Sequence, residues 1–254
     1  VIPRCRHLTA VSPDLAADLR AFTDVEASVV PNPISESVLH SPGCKPGAFD
    51  SRTFVMVLNG WNKLKNAGTA LQAFQLARRD LPGLRLVCFG SGYEADGPAA
   101  QWARSKRLHD GVEFNGPVPH ATILEQMRNS TALVHPSRWE ACCMSIAESM
   151  SVGLPVIGGR ETDGVPWQLD GGRAGVLVDV TNAQDIAQAM LRLSRERALW
   201  DVISMAARNR AHELFAVEVT EILERAADAR EQDHKDARVG GEQVEAAHDI
   251  SKRT

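Results

Sequence analysis

Several features that would assign this chain to a particular class of protein are missing from its sequence. No run of apolar residues among the 254 is long enough to span a bilayer, and no secretory signal is visible. The formal net charge is only -4, which argues against a general binder of nucleic acid or of anionic membranes. The chain has 5 cysteines and no Cys-x-x-Cys spacing, which excludes a disulfide framework and a cysteine zinc site. We therefore expect free thiols and a cytoplasmic location.

Spacings that hold a divalent metal ion are also missing. The sequence has no Asp-x-Asp motif, no cluster of His and Cys, and no pair of carboxylates spaced to hold Mg²⁺. Glu161 and Asp163 lie on a loop after a predicted strand and could approach a site there, but a solvated loop is the favoured interpretation of both. We expect neither a metal site nor a bound cofactor.

The sequence does contain a regular alternation of short apolar runs and helical segments. With 44% hydrophobic residues it can form a proper core. The alternation predicts an α/β fold, namely a doubly wound parallel sheet with flanking helices. Strands are predicted at 7–11, 27–30, 54–58, 84–89, 112–114, 132–135, 155–158 and 175–178. Helices are predicted at 12–22, 67–79, 97–106, 121–129, 183–195, 197–213 and 217–229, with a further helix between 140 and 153.

Two polar segments differ from this pattern. Residues 32–51 are rich in Pro, Gly and Ser and are predicted to form a linker or a long loop. Residues 231–254 are polar and mixed in charge, which predicts a flexible tail.

Glycine and glutamate residues follow several of the predicted strands. In doubly wound sheets, ligands bind beyond the carboxyl ends of the strands, so these positions are candidate ligand contacts. They are Gly60, Gly90 to Gly92, Gly116 and Glu140.

Two glutamates at fixed spacing, Glu140 and Glu148, flank the predicted start of a helix. A helix start offers free backbone N–H groups and a positive dipole end, which suit a phosphate. Gly153 and Pro155 end this helix before a buried strand. A structural alternative stays open, because Ser145 to Glu148 also fits a capping box and Glu140 fits a solvated loop residue.

The segment 136–157 resembles the Glu-x7-Glu motif of retaining glycosyltransferases of the GT-B fold, family 4 in particular. The matching residues are Pro136, Ser137, Glu140, Glu148, Met150, Gly153, Pro155, Val156 and Ile157. Further segments resemble landmarks of that family in the expected order, at 30–34, 57–60 with 65–66, 86–92, 112–118 and 171–179. The resemblance covers roughly residues 8–225 and implies the Rossmann-like, C-terminal donor-binding half of a GT-B fold.

The resemblance implies a role for each matching residue. Lys65 would neutralise the diphosphate of a nucleotide-sugar, together with the backbone N–H groups of Cys143, Met144 and Ser145. Glu148 would bind the ribose hydroxyls. Glu140 would position the sugar and stabilise positive charge at its anomeric carbon. Gly60 and the Gly90-Ser91-Gly92 turn would form loops on the donor side, although a plain tight turn is an equal alternative for the latter.

Two positions on the donor side depart from the family pattern. Trp61 stands where the family has an arginine, and Lys63 and Arg138 are the candidates for the missing charge. Ala141 to Cys143 replaces Gly-Phe-Gly, so side chains occupy space that bare backbone would leave open.

Three more residues lie near the motifs. His120 and His135 are candidates for polar contacts and Trp139 for stacking on a sugar, but structural or packing roles are the favoured interpretation of all three.

The resemblance also implies a domain organisation. Residues 1–26 would be a remnant of an N-terminal domain or a linker, residues 27–230 the nucleotide-sugar-binding domain, and 231–254 the tail. The acceptor domain would be missing or supplied by a separate subunit, and any peripheral membrane contact would go through that half. The first residue is Val, so we expect a processed or truncated chain.

The implied activity is transfer of a hexose from a UDP- or GDP-linked sugar, with retention and without metal. The isolated chain is expected to be inactive. A non-catalytic nucleotide-sugar-binding or regulatory module is the alternative, and a nucleotide-sugar epimerase is a distant third.

Overall fold

A computed structural model describes residues 8–216 of the chain. The predicted helix at 217–229 and the predicted tail at 231–254 lie outside the described residues. The first elements are strand β1 (Leu8–Ala10), helix α1 (Pro13–Leu19) and strand β2 (Ala27–Val29). Strands β1 and β2 pair in parallel in a two-stranded sheet of their own. The predicted boundary between residues 26 and 27 falls between these paired strands, and the division into domains stays a prediction.

The segment predicted as a linker or a long loop, 32–51, is mostly loop, but it is folded onto the rest of the protein. It contains helix α2 (Glu36–Leu39) and a 3-10 turn at Phe49–Ser51. Val38, Leu39 and Ala48 are buried. Its backbone is also tied down, because Cys44 N–H donates to the carbonyl of Val152 at 2.8 Å. The Pro and Gly residues therefore mark turns here and not a flexible connection.

The main sheet has six parallel strands. They are β3 (Thr53–Val57), β4 (Arg85–Phe89), β5 (Val112–Gly116), β6 (Ala132–His135), β7 (Val156–Gly159) and β8 (Val176–Val178). The spatial order is β5-β4-β3-β6-β7-β8. Phe54, Val55 and Met56 of β3 are completely buried, as expected for a central parallel strand covered on both faces.

Helices cover both faces of this sheet, which confirms the doubly wound α/β fold. They are α3 (Ala67–Asp80), α4 (Pro98–Ser105), α5 (His120–Arg128), α6 (Met144–Ser151), α7 (Gly164–Gln168), α8 (Ala183–Arg195) and α9 (Arg197–Phe215). Side chains of α3 and α8 pack with Phe54 and Met56 in one core cluster. Side chains of α6 and α9 pack with Val55 in a second cluster, since successive residues of a strand point to opposite faces. Of the described helices, α2 and α7 were not predicted.

The strand order determines where a ligand can bind. The order reverses between the two central strands, β3 and β6. From β3 the chain continues to β4 and β5 on one side, and from β6 it continues to β7 and β8 on the other. In open parallel sheets of this kind the crevice for a ligand lies outside the carboxyl ends of the strands at that reversal. The loops after β3 and β6 line this crevice. None of the helices within residues 8–216 is long and apolar enough to cross a membrane.

Candidate functional site

The two loops of the crevice are held together by backbone and amide hydrogen bonds. Arg138 N–H donates to the carbonyl of Leu64 at 2.8 Å. The buried Asn66 amide donates to the carbonyls of Pro136, at 3.0 Å, and of Val180, at 2.7 Å. Asn66 thus joins the loops that follow β3, β6 and β8. A rigid floor of this kind can present charged side chains at fixed positions.

Lys65 and Glu140 meet across the crevice. The Lys65 ammonium lies 2.6 Å from Glu140 Oε1, and the two side chains are 28% and 15% exposed. The interpretation of Glu140 as a solvated loop residue is therefore wrong. The sequence separation of 75 residues gives no local reason for this contact, which only the sheet topology creates.

His135 and Cys143 extend this charge pair into the protein. His135 is 2% exposed, and its Nε2 lies 3.4 Å from Glu140 Oε1. Its Nδ1 lies 3.7 Å from Cys143 Sγ, which in turn lies 3.2 Å from Ser145 Oγ. A continuous row of polar groups runs from Ser145 through Cys143, His135 and Glu140 to Lys65. His135 is buried, as its structural interpretation requires, but it also contacts the candidate sugar-binding glutamate.

The charges in this row shift one another's protonation. Burial raises the pKa of Glu140, but His135 and Lys65 outweigh burial and lower it to about 2. Burial lowers the pKa of His135, but Cys143 and Glu140 outweigh burial and raise it to about 9. Burial raises the pKa of Cys143, but His135 and Ser145 outweigh it, so the net shift is downward. Glu140 is therefore a carboxylate, and not a proton donor, at neutral pH.

The expectation that the chain has no cluster of His and Cys is corrected by the fold. Ligand atoms of His135, Glu140 and Cys143 lie within 4.8 Å of one another. The Lys65 ammonium already neutralises the Glu140 carboxylate, through the Oε1 atom that His135 Nε2 also contacts. We therefore assign the three residues to a charge network, and the absence of a metal site stays a prediction.

The start of α6 differs from the prediction in one donor. The N–H of Cys143 donates to Gln168 Oε1 at 2.8 Å, and Gln168 Nε2 donates to the Cys143 carbonyl at 3.1 Å. The Cys143 N–H is thus used inside the protein and is not free for a phosphate, contrary to prediction. Met144 and Ser145 supply the next N–H groups, which belong to the first turn and have no partner within the helix.

Helix α7, which the sequence pattern did not reveal, supports this loop at two points. Gln168 holds Cys143, and Gly164 N–H donates to the carbonyl of Glu140 at 3.0 Å. A Cβ added to Gly164 would lie 1.7 Å from the Ala141 carbonyl oxygen. Asp163, which the sequence analysis assigned with Glu161 to a solvated loop, is the N-cap residue of this helix.

Glu148 does not form the alternative capping box. No side chain caps α6, whose N-cap residue is Cys143. Glu148 Oε1 instead lies 2.9 Å from His120 Nε2, with 15% of the Glu148 side chain exposed. Burial raises the pKa of Glu148, and His120 partly opposes this. His120 is half exposed, so the interpretation of this histidine as a structural residue is corrected to a partner of Glu148.

The glycine turns pack directly on one another at the ends of β3 and β4. Gly60 N–H donates to the carbonyl of Ser91 at 2.9 Å. Gly92 lies against the backbone of Trp61, and Gly90 lies against the carbonyl of Leu58. These turns therefore border the crevice on the β4 side, and their use in donor binding stays a prediction.

Two aromatic residues of the loops have different surroundings. Trp61 packs against Trp102, with ring centroids 5.3 Å apart, and against Tyr93 at 6.2 Å. The position of the family's arginine is thus part of an aromatic cluster. Trp139 is 54% exposed beside Glu140, so its prediction as a packing residue is wrong. Arg138 lines a separate cavity of about 220 Å³ with Arg160 and Asp179.

A pH-dependent stability follows from the Glu140 contacts. A carboxyl whose folded pKa is lowered stabilises the fold above its unfolded pKa of 4.5, and this contribution disappears as the pH falls toward about 2. Glu140→Gln is expected to lower the Tm by a few degrees at pH 6, and the difference from the original chain should shrink below pH 4.5. Thermal unfolding monitored by circular dichroism checks this, with the exposed Glu161→Gln as the matched control. A Tm difference that stays constant between pH 6 and pH 3 would contradict it.

Comparison with known proteins agrees with this geometry. The family described as glycosyl transferases group 1 matches residues 45–210. An exopolysaccharide phosphotransferase of Streptomyces coelicolor is 32% identical over 140 residues, which are 53% of this chain and 14% of that protein. A D-inositol 3-phosphate glycosyltransferase of Thermobifida fusca is 31% identical over 107 residues, 42% of this chain and 24% of that protein.

Solved structures share the fold at lower identity. TarM of S. aureus has a TM-score of 0.76 and 18% identity, over 90% of this chain and 45% of that one. The sucrose-phosphate synthase of Thermosynechococcus elongatus has a TM-score of 0.73 and 19% identity, over 90% of this chain and 60% of that one. The chain spans less than two thirds of the length of each of these proteins. Because the family match covers residues 45–210, this chain belongs to the glycosyl transferases group 1 family. Residues 8–216 contain a Rossmann-like α/β domain of the GT-B glycosyltransferase fold.

Proposed function

We propose that this chain is the donor-binding domain of a retaining glycosyltransferase that uses a UDP- or GDP-linked hexose without a metal ion. The observation that carries the proposal is the Lys65–Glu140 ion pair at the strand-order reversal, beside the start of α6. A cation and a carboxylate at this point are opposite in sign to the two charges that a nucleotide-sugar develops when its glycosidic bond breaks. The diphosphate becomes more negative and the anomeric carbon more positive.

The diphosphate is placed against Lys65 and the N–H groups of Met144 and Ser145. These donors, with the positive end of the α6 dipole, provide neutralisation that a metal ion supplies in other transferases. Lys65 turns from Glu140 toward the phosphates when the donor enters, which leaves the carboxylate facing the sugar. A binding site dominated by charge in this way weakens as salt is added.

Glu140 acts as a fixed negative charge in this scheme. Its pKa of about 2 keeps it ionised at neutral pH, so it can stabilise a positive anomeric carbon and accept hydrogen bonds from sugar hydroxyls. A general acid would need a pKa near the working pH, which Glu140 does not have.

The acceptor site is assigned to a part not contained in this domain. Relatives and similar structures are longer than this chain, and a GT-B transferase binds its acceptor between two α/β halves. We propose that the second half is a further domain of the same protein or a separate subunit, and that the complete enzyme works in the cytoplasm. The isolated 254-residue chain should bind the donor and transfer no sugar.

One observation favours the alternative of a non-catalytic nucleotide-sugar-binding module. Trp61 stands where the family has an arginine, so this position carries no charge. Its ring packs on Trp102 and Tyr93 instead. The two functions differ in one measurable property, since only a transferase domain gains turnover when an acceptor-binding half is added. Saturable donor binding without turnover in such a reconstituted enzyme would favour the binding module.

Titration calorimetry with UDP-, GDP- and ADP-linked sugars tests the proposal, with each matching nucleoside diphosphate as a reference. We expect saturable binding of a single base class, with an affinity that EDTA leaves unchanged. Absence of binding by every nucleotide would contradict donor binding. A tenfold or larger loss of affinity in EDTA that Mg²⁺ or Mn²⁺ restores would contradict the metal-free site.

Glu148→Ala is expected to weaken nucleoside diphosphate binding about 10- to 150-fold, because a charge-assisted hydrogen bond to the ribose is worth about 1.5–3 kcal/mol. His120→Ala is the matched control, since it removes the partner of Glu148 and leaves the carboxylate in place. His120→Ala should therefore weaken nucleoside diphosphate binding clearly less than Glu148→Ala does. Calorimetry and the Tm are measured on the same samples. If Glu148→Ala lowered the Tm and left the affinity unchanged, Glu148 would have a structural role only.

A further inference from the structure

The thiol of Cys143 has contacts that the proposed donor site does not use. Its sulfur lies 3.7 Å from His135 Nδ1 and 3.2 Å from Ser145 Oγ, and the residue is the N-cap of the eight-residue helix α6. Glu140 contacts the other edge of the His135 ring at 3.4 Å. A sulfur, an imidazole and a carboxylate thus follow one another in a row, with Cys143 and His135 buried at 7% and 2% exposure.

This row provides what a nucleophilic thiol needs. The imidazole can take the proton of the thiol, and the carboxylate stabilises the imidazolium that results. The helix start favours the negative sulfur, because the dipole presents its positive end there. Among the residues in contact with the sulfur, Ser145 adds a hydroxyl that can donate to a thiolate.

The other cysteines within residues 8–216 have different surroundings. Burial raises the pKa of Cys44 to about 12, and it also raises the pKa values of Cys88 and Cys142. None of these three has a side-chain hydrogen bond to an imidazole in the described part of the chain. Cys142, the direct neighbour of Cys143, offers a matched comparison because the two residues are almost equally exposed, Cys142 at 8% and Cys143 at 7%.

We propose that Cys143 is a reactive thiol that peroxides and soft electrophiles modify selectively, and that its modification closes the donor crevice. With hydrogen peroxide, the sulfur forms a bond to one oxygen while the O–O bond breaks. The leaving hydroxide takes the proton held by His135 and departs as water. The sulfur is oxidised to a sulfenic acid and the peroxide is reduced.

The second part of the proposal rests on the proposed function. A group added to Cys143 Sγ occupies space beside Ser145 and the N–H groups at the start of α6, where the diphosphate is placed. It also disturbs the contact of His135 with Glu140. A modified chain should therefore lose affinity for the nucleotide-sugar, and a bound nucleotide should slow modification.

The test follows alkylation by iodoacetamide, residue by residue, with peptide mass spectrometry of the full native chain. A dimedone trap after hydrogen peroxide reports the sulfenic acid in the same way. We expect Cys143 to react about tenfold faster than Cys142 and Cys44 in the native chain, and at a similar rate in denaturant. His135→Asn should remove most of this advantage, and Glu140→Gln should reduce it if His135→Asn does not fold. Native Cys143 that reacts no faster than Cys142, or equally fast without His135, would overturn the reactive thiol.

The blocking effect is read separately by calorimetry before and after peroxide. Peroxide should remove most of the nucleotide affinity of the original chain. The affinity of the Cys143→Ser variant should be the same before and after peroxide. Equal losses in both, or no loss in the original chain, would overturn the blocking effect. Failure of the untreated chain to bind any nucleotide would overturn the proposed function and the blocking effect together, while the alkylation rates would still decide whether Cys143 is reactive.

Discussion

Replacing Lys65 with alanine is expected to reduce the affinity for a nucleoside diphosphate about 30-fold or more, which corresponds to at least about 2 kcal/mol. The substitution removes the cation placed against the diphosphate. It also leaves the partly buried Glu140 carboxylate without its partner at 2.6 Å, facing an incoming group of the same charge. Calorimetric titration measures the loss.

Two further variants separate these contributions. Lys63 is an exposed lysine two positions away and a candidate for the charge missing at Trp61. If Lys65 is the lysine that binds the phosphates, Lys63→Ala should change the affinity little. Adding Glu140→Gln to Lys65→Ala should restore part of the lost affinity for the nucleoside diphosphate, because the repulsive charge is removed. Similar losses for Lys63→Ala and Lys65→Ala would mean that the lysines act only through general charge, and Lys65 would not be a ligand of the phosphates.

Gly90→Ala should be severely destabilising, because it combines a positive φ with a clash against backbone. Gly90 has φ +109, and an added Cβ would lie 1.9 Å from the backbone oxygen of Leu58. Neither backbone can move without breaking the contact between the ends of β3 and β4. We expect a loss of more than about 4 kcal/mol of unfolding free energy, or a fall in Tm of about 8–16 °C.

Gly47→Ala provides the matched control for Gly90→Ala. Gly47 also has a positive φ, +88, but no atom lies within 4 Å of its added Cβ. This variant should lose only about 1–2 kcal/mol of unfolding free energy, which is the strain of an L-residue at a positive φ. Thermal unfolding of both variants measures the difference, and equal Tm losses would show that close packing at Gly90 does not matter.

The strands and long helices could be predicted because each carries its own signal. The apolar run at 54–58 and the alternation of strands with helices led to the parallel sheet, and the structure confirms β3 at Thr53–Val57. Gly153 and Pro155 correctly marked the end of α6 before β7. For 32–51 the long-loop alternative was closer than the linker, because turn residues signal loops in general and do not reveal that Val38 and Leu39 are buried.

The candidate site was predictable only in part. The family resemblance identified Glu140, Glu148 and Lys65, and the fold brings Lys65 and Glu140 together. The partners came from elsewhere in the chain: His120 is 28 residues from Glu148, and Gln168 is 25 residues from Cys143. No local pattern encodes such contacts, since they depend on how α5 and α7 pack beside α6. The capping box failed for the same reason, because a nearby imidazole offered Glu148 a better partner than its own helix start.

A crystal structure of the chain with a bound nucleoside diphosphate tests the central claim most directly. The account predicts that the diphosphate lies over the carboxyl ends of β3 and β6, within hydrogen-bond distance of Lys65 Nζ and of the Met144 and Ser145 N–H groups. The ribose should contact Glu148, and Lys65 should have moved away from Glu140. A diphosphate bound elsewhere, such as in the cavity of Arg138 and Arg160, with the Lys65–Glu140 pair intact, would contradict the account.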